Sequence, residues 1–218
     1  MFNRAIIAGA SGLTGSELLD ILLNSGQYNE VLVLVRKKLP ADHPKLRQLV
    51  VNFDKPESFS EAITGHALFC CLGTTRKKTP DLSVYRKIDH DYPLQLAQLC
   101  KQNGVEQYHL VSALGANKDA SNFYLKMKGE TERDIAGTGL PALCIYQPSF
   151  LTGKRAENRP VERFLEPVMK VIDVLLIGGL KKYRSIAART VAQAMYNQSL
   201  KNLSGVHIYP SDIIKELA

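Results

Sequence analysis

An apolar run, Ala5-Ile6-Ile7-Ala8, leads directly into Gly9-Ala10-Ser11-Gly12-Leu13-Thr14-Gly15, and this junction constrains the fold more than any other stretch. Leu18, Leu19, Leu22 and Leu23 follow at helical spacing, so the order is buried strand, glycine turn, helix. The first N–H groups of a helix have no intrahelical partner, and the helix dipole adds roughly half a positive charge there. Glycines let the backbone approach an anion without a Cβ in the way. The spacing is G-x-x-G-x-x-G, not the G-x-G-x-x-G of the dinucleotide fingerprint. Taken alone, it also describes a tight strand-to-helix turn. Its position after an N-terminal strand favours a phosphate cradle made by Gly9, Ser11, Gly12, Leu13, Thr14 and Gly15.

The next apolar run, Val31 to Val35, is continuous rather than alternating. That pattern predicts a strand covered on both faces, as in a parallel sheet. It ends in Arg36-Lys37-Lys38. At this place in a dinucleotide fold an acid would bond the ribose 2′-hydroxyl of NAD, whereas an arginine accommodates the 2′-phosphate of NADP. The planar fork of Arg36, with Lys37 beside it, suits NADP(H); the plainer alternative is a solvated basic strand end. Leu49 to Phe53 reads as a third strand. Phe53 or Asp54 after it would border the adenine, although Asp54 also fits as the N-cap of a helix containing Phe59, Ala62 and Ile63. Ala67 to Leu72 reads as a fourth strand. Leu72, Gly73 and Thr74 then fall at its C-terminal end, where open α/β sheets bind ligands.

Length and composition set the class. A chain of 218 residues, 45% hydrophobic and 22% charged, can bury one sizeable core. The net charge of +7 is spread over short clusters rather than a stripe, and no nucleic-acid module is present, so nucleic acid is not an expected partner. The four cysteines have neither zinc spacing nor a disulfide framework. No apolar run is long enough to span a bilayer as a helix, and the early first strand leaves no room for a signal peptide. The expectation is a cytoplasmic protein with reduced thiols and no integral membrane segment.

In the second half, Val84 to Asn103 has helical character, interrupted by Pro93, with a restart near Tyr92. Asp89, His90 and Asp91 are adjacent on a helix and so point apart, and no fourth ligand accompanies them; a metal site is not expected. Gln107 to Ser112 reads as a fifth strand, with Ser112 at its end. Of the nine tyrosines, only Tyr124 has a lysine four residues on, Lys128, within a predicted helix over Asn122 to Ile135. That spacing puts phenol and ammonium on one face. A phenol with a pKa near 10 moves protons poorly at neutral pH, and a nearby cation lowers that value. Ser112 is expected to hydrogen-bond the substrate oxygen. Pro141 to Tyr146 is a sixth strand, after which Pro148 and Phe150 would flank the far end of the cofactor. Phe164 to Leu175 makes an apolar helical stripe: core, a lid over the ligand within 154–183, or a protein-partner surface. A helix near Thr190 to Leu200 and a strand from Gly205 to Tyr209 complete the chain.

These residues resemble a family, the short-chain dehydrogenase/reductases in their atypical division. The likeness rests on the glycine turn, Ser112, and Tyr124 with Lys128. Finer matches to the Tat-interacting-protein-like oxidoreductases are Cys71-Leu72-Gly73-Thr74-Thr75-Arg76, Asp89-His90-Asp91-Tyr92, Ser121-Asn122-Phe123 and Lys128-Gly129-Glu130. The resemblance implies a single α/β domain over 1–218, a doubly wound parallel-sheet Rossmann fold with a small C-terminal helical substrate lobe. It implies NADP(H) as cofactor, a small-molecule substrate, Tyr124 as acid/base, Lys128 on the nicotinamide ribose and Ser112 on the substrate carbonyl. Asp89 stands where many relatives carry asparagine, and Gln147 replaces the arginine often found before the proline. A reductase is the first expectation; an NADP(H)-binding redox sensor with little turnover is the second. A nucleotide-sugar epimerase is third, because the stretch after Gly153 is short for a sugar-nucleotide lobe.

Overall fold

The structure, a computed structural model, describes residues 2–153, 176 and 178–218. Strands β1 (Phe2–Ala8), β2 (Tyr28–Val35), β3 (Leu46–Val50), β4 (Ala67–Cys70), β5 (Gln107–Val111), β6 (Ala142–Gln147) and β9 (Gly205–Pro210) form one parallel sheet in the order β3-β2-β1-β4-β5-β6-β9. A two-residue pair, β7 (Leu151–Thr152) with β8 (Ile186–Ala187), lies outside it. Successive side chains of β1 point to opposite faces, yet Ile6 and Ile7 are both fully buried. Each face therefore needs a layer, and burying each such side chain stabilises by about 1.5–3 kcal/mol. Helices α1 (Leu13–Asn24), α5 (Ala188–Ser199) and α6 (Ser211–Leu217) cover the face that carries Ile7 and Phe69. Helices α3 (Tyr92–Gln102) and α4 (Phe123–Ala136) cover the face that carries Ile6 and Leu68.

Two expectations change. The third strand stops at Val50, because past its pairing with Val35 the chain leaves the sheet. Phe53 stays buried without being in a strand, packed edge-on to Phe59 and stacked on Tyr92. A largely apolar stretch, broken here only by Asn52, does not distinguish a buried turn from a strand. The helix expected around Phe59 is two 3₁₀ turns, Pro56–Ser58 and Ser60–Ala62, and Asp54 caps neither. The expected restart near Tyr92 is where α3 begins, with Pro93 in its first turn; the chain does not leave helical geometry before it, since α2 (Leu82–Arg86) and a π turn at Lys87–Asp91 lead directly into α3. The helix α6 has no counterpart in the sequence reading.

The expected stripe over Phe164–Leu175 and most of the expected lid over 154–183 lie outside the described residues. Gly178–Tyr183 is a 3₁₀ segment, and α5, β9 and α6 then rejoin the sheet layers. Among the described residues no helix is long and apolar enough to cross a membrane.

Candidate active site

Because the sheet is parallel, the C-terminal ends of its strands share one edge, and β1 and β4, whose crossovers run to opposite sides, open a crevice there. The glycine turn fills the β1 side of that crevice. Gly9 has φ +91, and a Cβ on it would lie 2.5 Å from the Cys71 carbonyl oxygen. A Cβ on Gly15 would overlap the Gly9 carbonyl, and one on Gly12 would sit 3.2 Å from the same oxygen. The three glycines thus let the start of α1 pack on the ends of β1 and β4. Gly12 is the N-cap and offers no side chain to the first-turn N–H groups, while Ser11 and Gly12 are exposed. Open donors at a glycine-lined helix start fit a pyrophosphate. Leu13 and the buried Thr14 begin the helix.

Arg36 and Lys37 are exposed at the end of β2. Phe53 stacks on Tyr92 with ring centroids 5.3 Å apart. The Tyr92 hydroxyl donates to Asp54 Oδ1 at 3.0 Å, and Lys87 Nζ pairs with that oxygen at 3.1 Å. Lys87 and Tyr92 hold the Asp54 carboxyl below its usual range. Burial and the Asp54 hydrogen bond push the Tyr92 phenol up, against the nearby charge of Arg36. Arg36, Phe53, Asp54 and Tyr92 therefore form one rim.

On the other side, Leu72, Gly73 and Thr74 follow β4. The Thr74 N–H donates to Asp89 Oδ2 at 2.8 Å, and Lys128 Nζ sits 3.1 Å from Asp89 Oδ1. Both side chains of that ion pair are buried, 6% and 1% exposed. Burial is the largest influence and lowers the Lys128 ammonium, but Asp89, Tyr124 and Cys70 together outweigh it, and the net direction is up. Asn122 caps α4 by accepting from the Tyr124 and Leu125 N–H groups. Tyr124 stands one turn before Lys128, exposed and close enough to bias its charge. Gly129 lets the 113–121 loop press on α4, since a Cβ there would overlap the backbone of Asn117 and Lys118.

Asp89, His90 and Asp91 diverge. His90 bonds Asp91 at 2.7 Å and Asp134 at 2.9 Å, while Asp89 serves Lys128 and Thr74. Pro148 is buried and its carbonyl accepts from the Leu114 N–H, and Phe150 is exposed. Ser112 stands at the end of β5 as expected, but it is 5% exposed and its hydroxyl donates to Glu132 Oε1. Gln147 Nε2 lies 3.0 Å from each oxygen of the same carboxyl. Sequence reasoning missed Glu132; its position four residues after Lys128 on α4 was the available signal.

The model of an NAD(P)H-binding family matches residues 9–199. Protein HTATIP2 of Rattus norvegicus is 36% identical over 167 residues, 74% of this chain and 69% of that protein. The mitochondrial protein FMP52 of Saccharomyces cerevisiae is 32% identical over 210 residues, 94% of this chain and 87% of that protein. Among solved structures, Bordetella bronchiseptica WbmH in complex with NAD+ superposes with a TM-score of 0.73 at 16% identity, covering 98% of this chain and 78% of the other. MoeE5 in complex with UDP-glucose and NAD gives 0.71 at 16%, covering 94% and 74%. The cytoplasmic expectation is overturned: FMP52 proteins from three fungi, 29–32% identical over most of the chain, carry mitochondrial names, and an early strand does not fix a compartment. With its seven-stranded parallel sheet, the chain belongs to the NAD(P)H-binding, atypical short-chain dehydrogenase/reductase family that includes HTATIP2 and FMP52.

Proposed function

We propose that this protein is an NADPH-dependent reductase of a small carbonyl or related unsaturated substrate. The observation that carries the reading is the buried Lys128–Asp89 pair set one helical turn from an exposed Tyr124. NADPH supplies the hydride when bound. The Tyr124 hydroxyl gives its proton to the developing alkoxide oxygen, and the Lys128 ammonium stabilises the phenolate left behind. Asp89 keeps Lys128 charged and, through the Thr74 N–H, ties it to the loop after β4. Gly9 to Gly15 take the pyrophosphate and Arg36 with Lys37 the 2′-phosphate. Tyr124→Phe is expected to lower turnover roughly 10²–10⁴-fold, the scale of a lost general acid, with NADPH affinity nearly intact. Depletion of NADPH on a carbonyl panel measures it, and equal turnover in the variant would sink the mechanism.

A second reading, an NADP(H)-binding redox sensor with little or no turnover, draws on Ser112, whose hydroxyl is engaged with Glu132. Tight NADPH binding with no activity on any carbonyl would favour it.

A further inference from the structure

Ser112 just past β5, Glu132 on α4 and Gln147 at the end of β6 meet, with Tyr124 two turns before Glu132 on the same helix. As drawn, the Ser112 hydroxyl spends its only proton on Glu132. It cannot donate to a substrate oxygen at the same time. Gln147 supplies only a neutral donor group to both oxygens of the Glu132 carboxyl. The buried carboxyl therefore has no cation bonded to it among the described residues. The groups that face it are Ser112 from β5, Gln147 from β6 and, one turn back on its own helix, Lys128, which is paired with Asp89.

We propose that Glu132 is a positioning residue of this site, its protonation deciding where the Ser112 hydroxyl proton points. With the carboxylate charged, Ser112 donates to Glu132 Oε1. With a proton on that oxygen, the carboxyl donates to Ser112 Oγ, and the Ser112 proton turns away from Glu132 toward the strand ends. The same contact is kept with its direction reversed. Burial pushes the Glu132 carboxyl up, against the hydrogen bonds of Ser112 and Gln147 and the charge of Lys128. Its catalytic consequence rests on the reductase reading; the proton placement does not.

The test is infrared difference spectroscopy of the carboxyl stretch in the full chain with NADPH, across pH, for wild type, Glu132→Gln and Gln147→Arg. A protonated-carboxyl signal that titrates above the ordinary glutamic acid value of about 4.3 is expected in wild type. It should be absent in Glu132→Gln. In Gln147→Arg its midpoint should fall by roughly one unit or more, the effect of an adjacent guanidinium. On a carbonyl panel, wild-type kcat/KM should fall up to roughly 10²-fold as pH rises through the same midpoint, as for the loss of one donor to a developing oxyanion. No carboxyl signal above the ordinary range, or one that survives Glu132→Gln, overturns the proposal. So does a wild-type activity profile that is flat across the midpoint. Absence of turnover on every substrate would instead count against the reductase reading and leave the infrared result to decide this one.

Discussion

At the β1–α1 turn the chain makes its site by leaving side chains out, whereas along α4 it makes one by burying charged groups. The turn works through backbone: Gly9, Gly12 and Gly15 bring α1 against the ends of β1 and β4, and first-turn N–H groups are left open. The α4 end works through partners distant in sequence: Lys128 on Asp89, Asp89 on Thr74, Glu132 on Ser112 and Gln147. The first is sensitive above all to added volume. The second is sensitive to charge, because a carboxylate stripped of its cation in a buried place has nothing to replace it.

Breaking the charged end should have the largest effect. Lys128→Met leaves Asp89 buried without its cation and should cost about 3–5 kcal/mol in denaturant unfolding. A loss under about 1 kcal/mol would show that the pair is solvated. Next comes Gly15→Ala, which keeps every charge but drives a methyl into the Gly9 carbonyl. About 1–3 kcal/mol of stability should go, with NADPH affinity falling too; an unchanged melting temperature would mean that the turn is looser than drawn. Arg36→Ala is smaller. It should weaken NADPH about tenfold, or about 1.4 kcal/mol, leave NADH unchanged, and shift stability within about 0.5 kcal/mol, as for an exposed residue. Equal losses for both nucleotides by calorimetry would refute the 2′-phosphate assignment.

The smallest effect is acid-dependent. Arg133 first, and then His90, hold Asp134 down at about 2. Its folded value lies below the unfolded one of about 3.9, so its contribution is complete above about pH 4 and is lost as pH falls toward 2. Asp134→Asn should flatten that limb of the stability curve, and an identical acid limb in the variant would dismiss it.

Much of the glycine-turn end was legible because it is local. Strand, glycines and helix are contiguous, and the continuous apolarity of Val31–Val35 announced a sheet covered on both faces. Where composition is the only signal, it misleads: Leu49–Phe53 is apolar except for Asn52, yet Val50 ends the strand and Phe53 packs beneath Tyr92. The charged end was half legible. Helical spacing put Tyr124 and Lys128 on one face, but nothing in that spacing says what the lysine meets.

The sequence by itself determined the parallel α/β class, the glycine turn and the Tyr124–Lys128 face, since periodicity and glycine sterics act over a few residues. Only tertiary structure decided that Asp89 is the counter-ion of Lys128, that Asp54 is held by Lys87 and Tyr92, and that the Ser112 hydroxyl goes to Glu132. Those partners meet across crossovers of the sheet, and a hydrogen bond depends on where two atoms finish in space rather than on how far apart they stand along the chain.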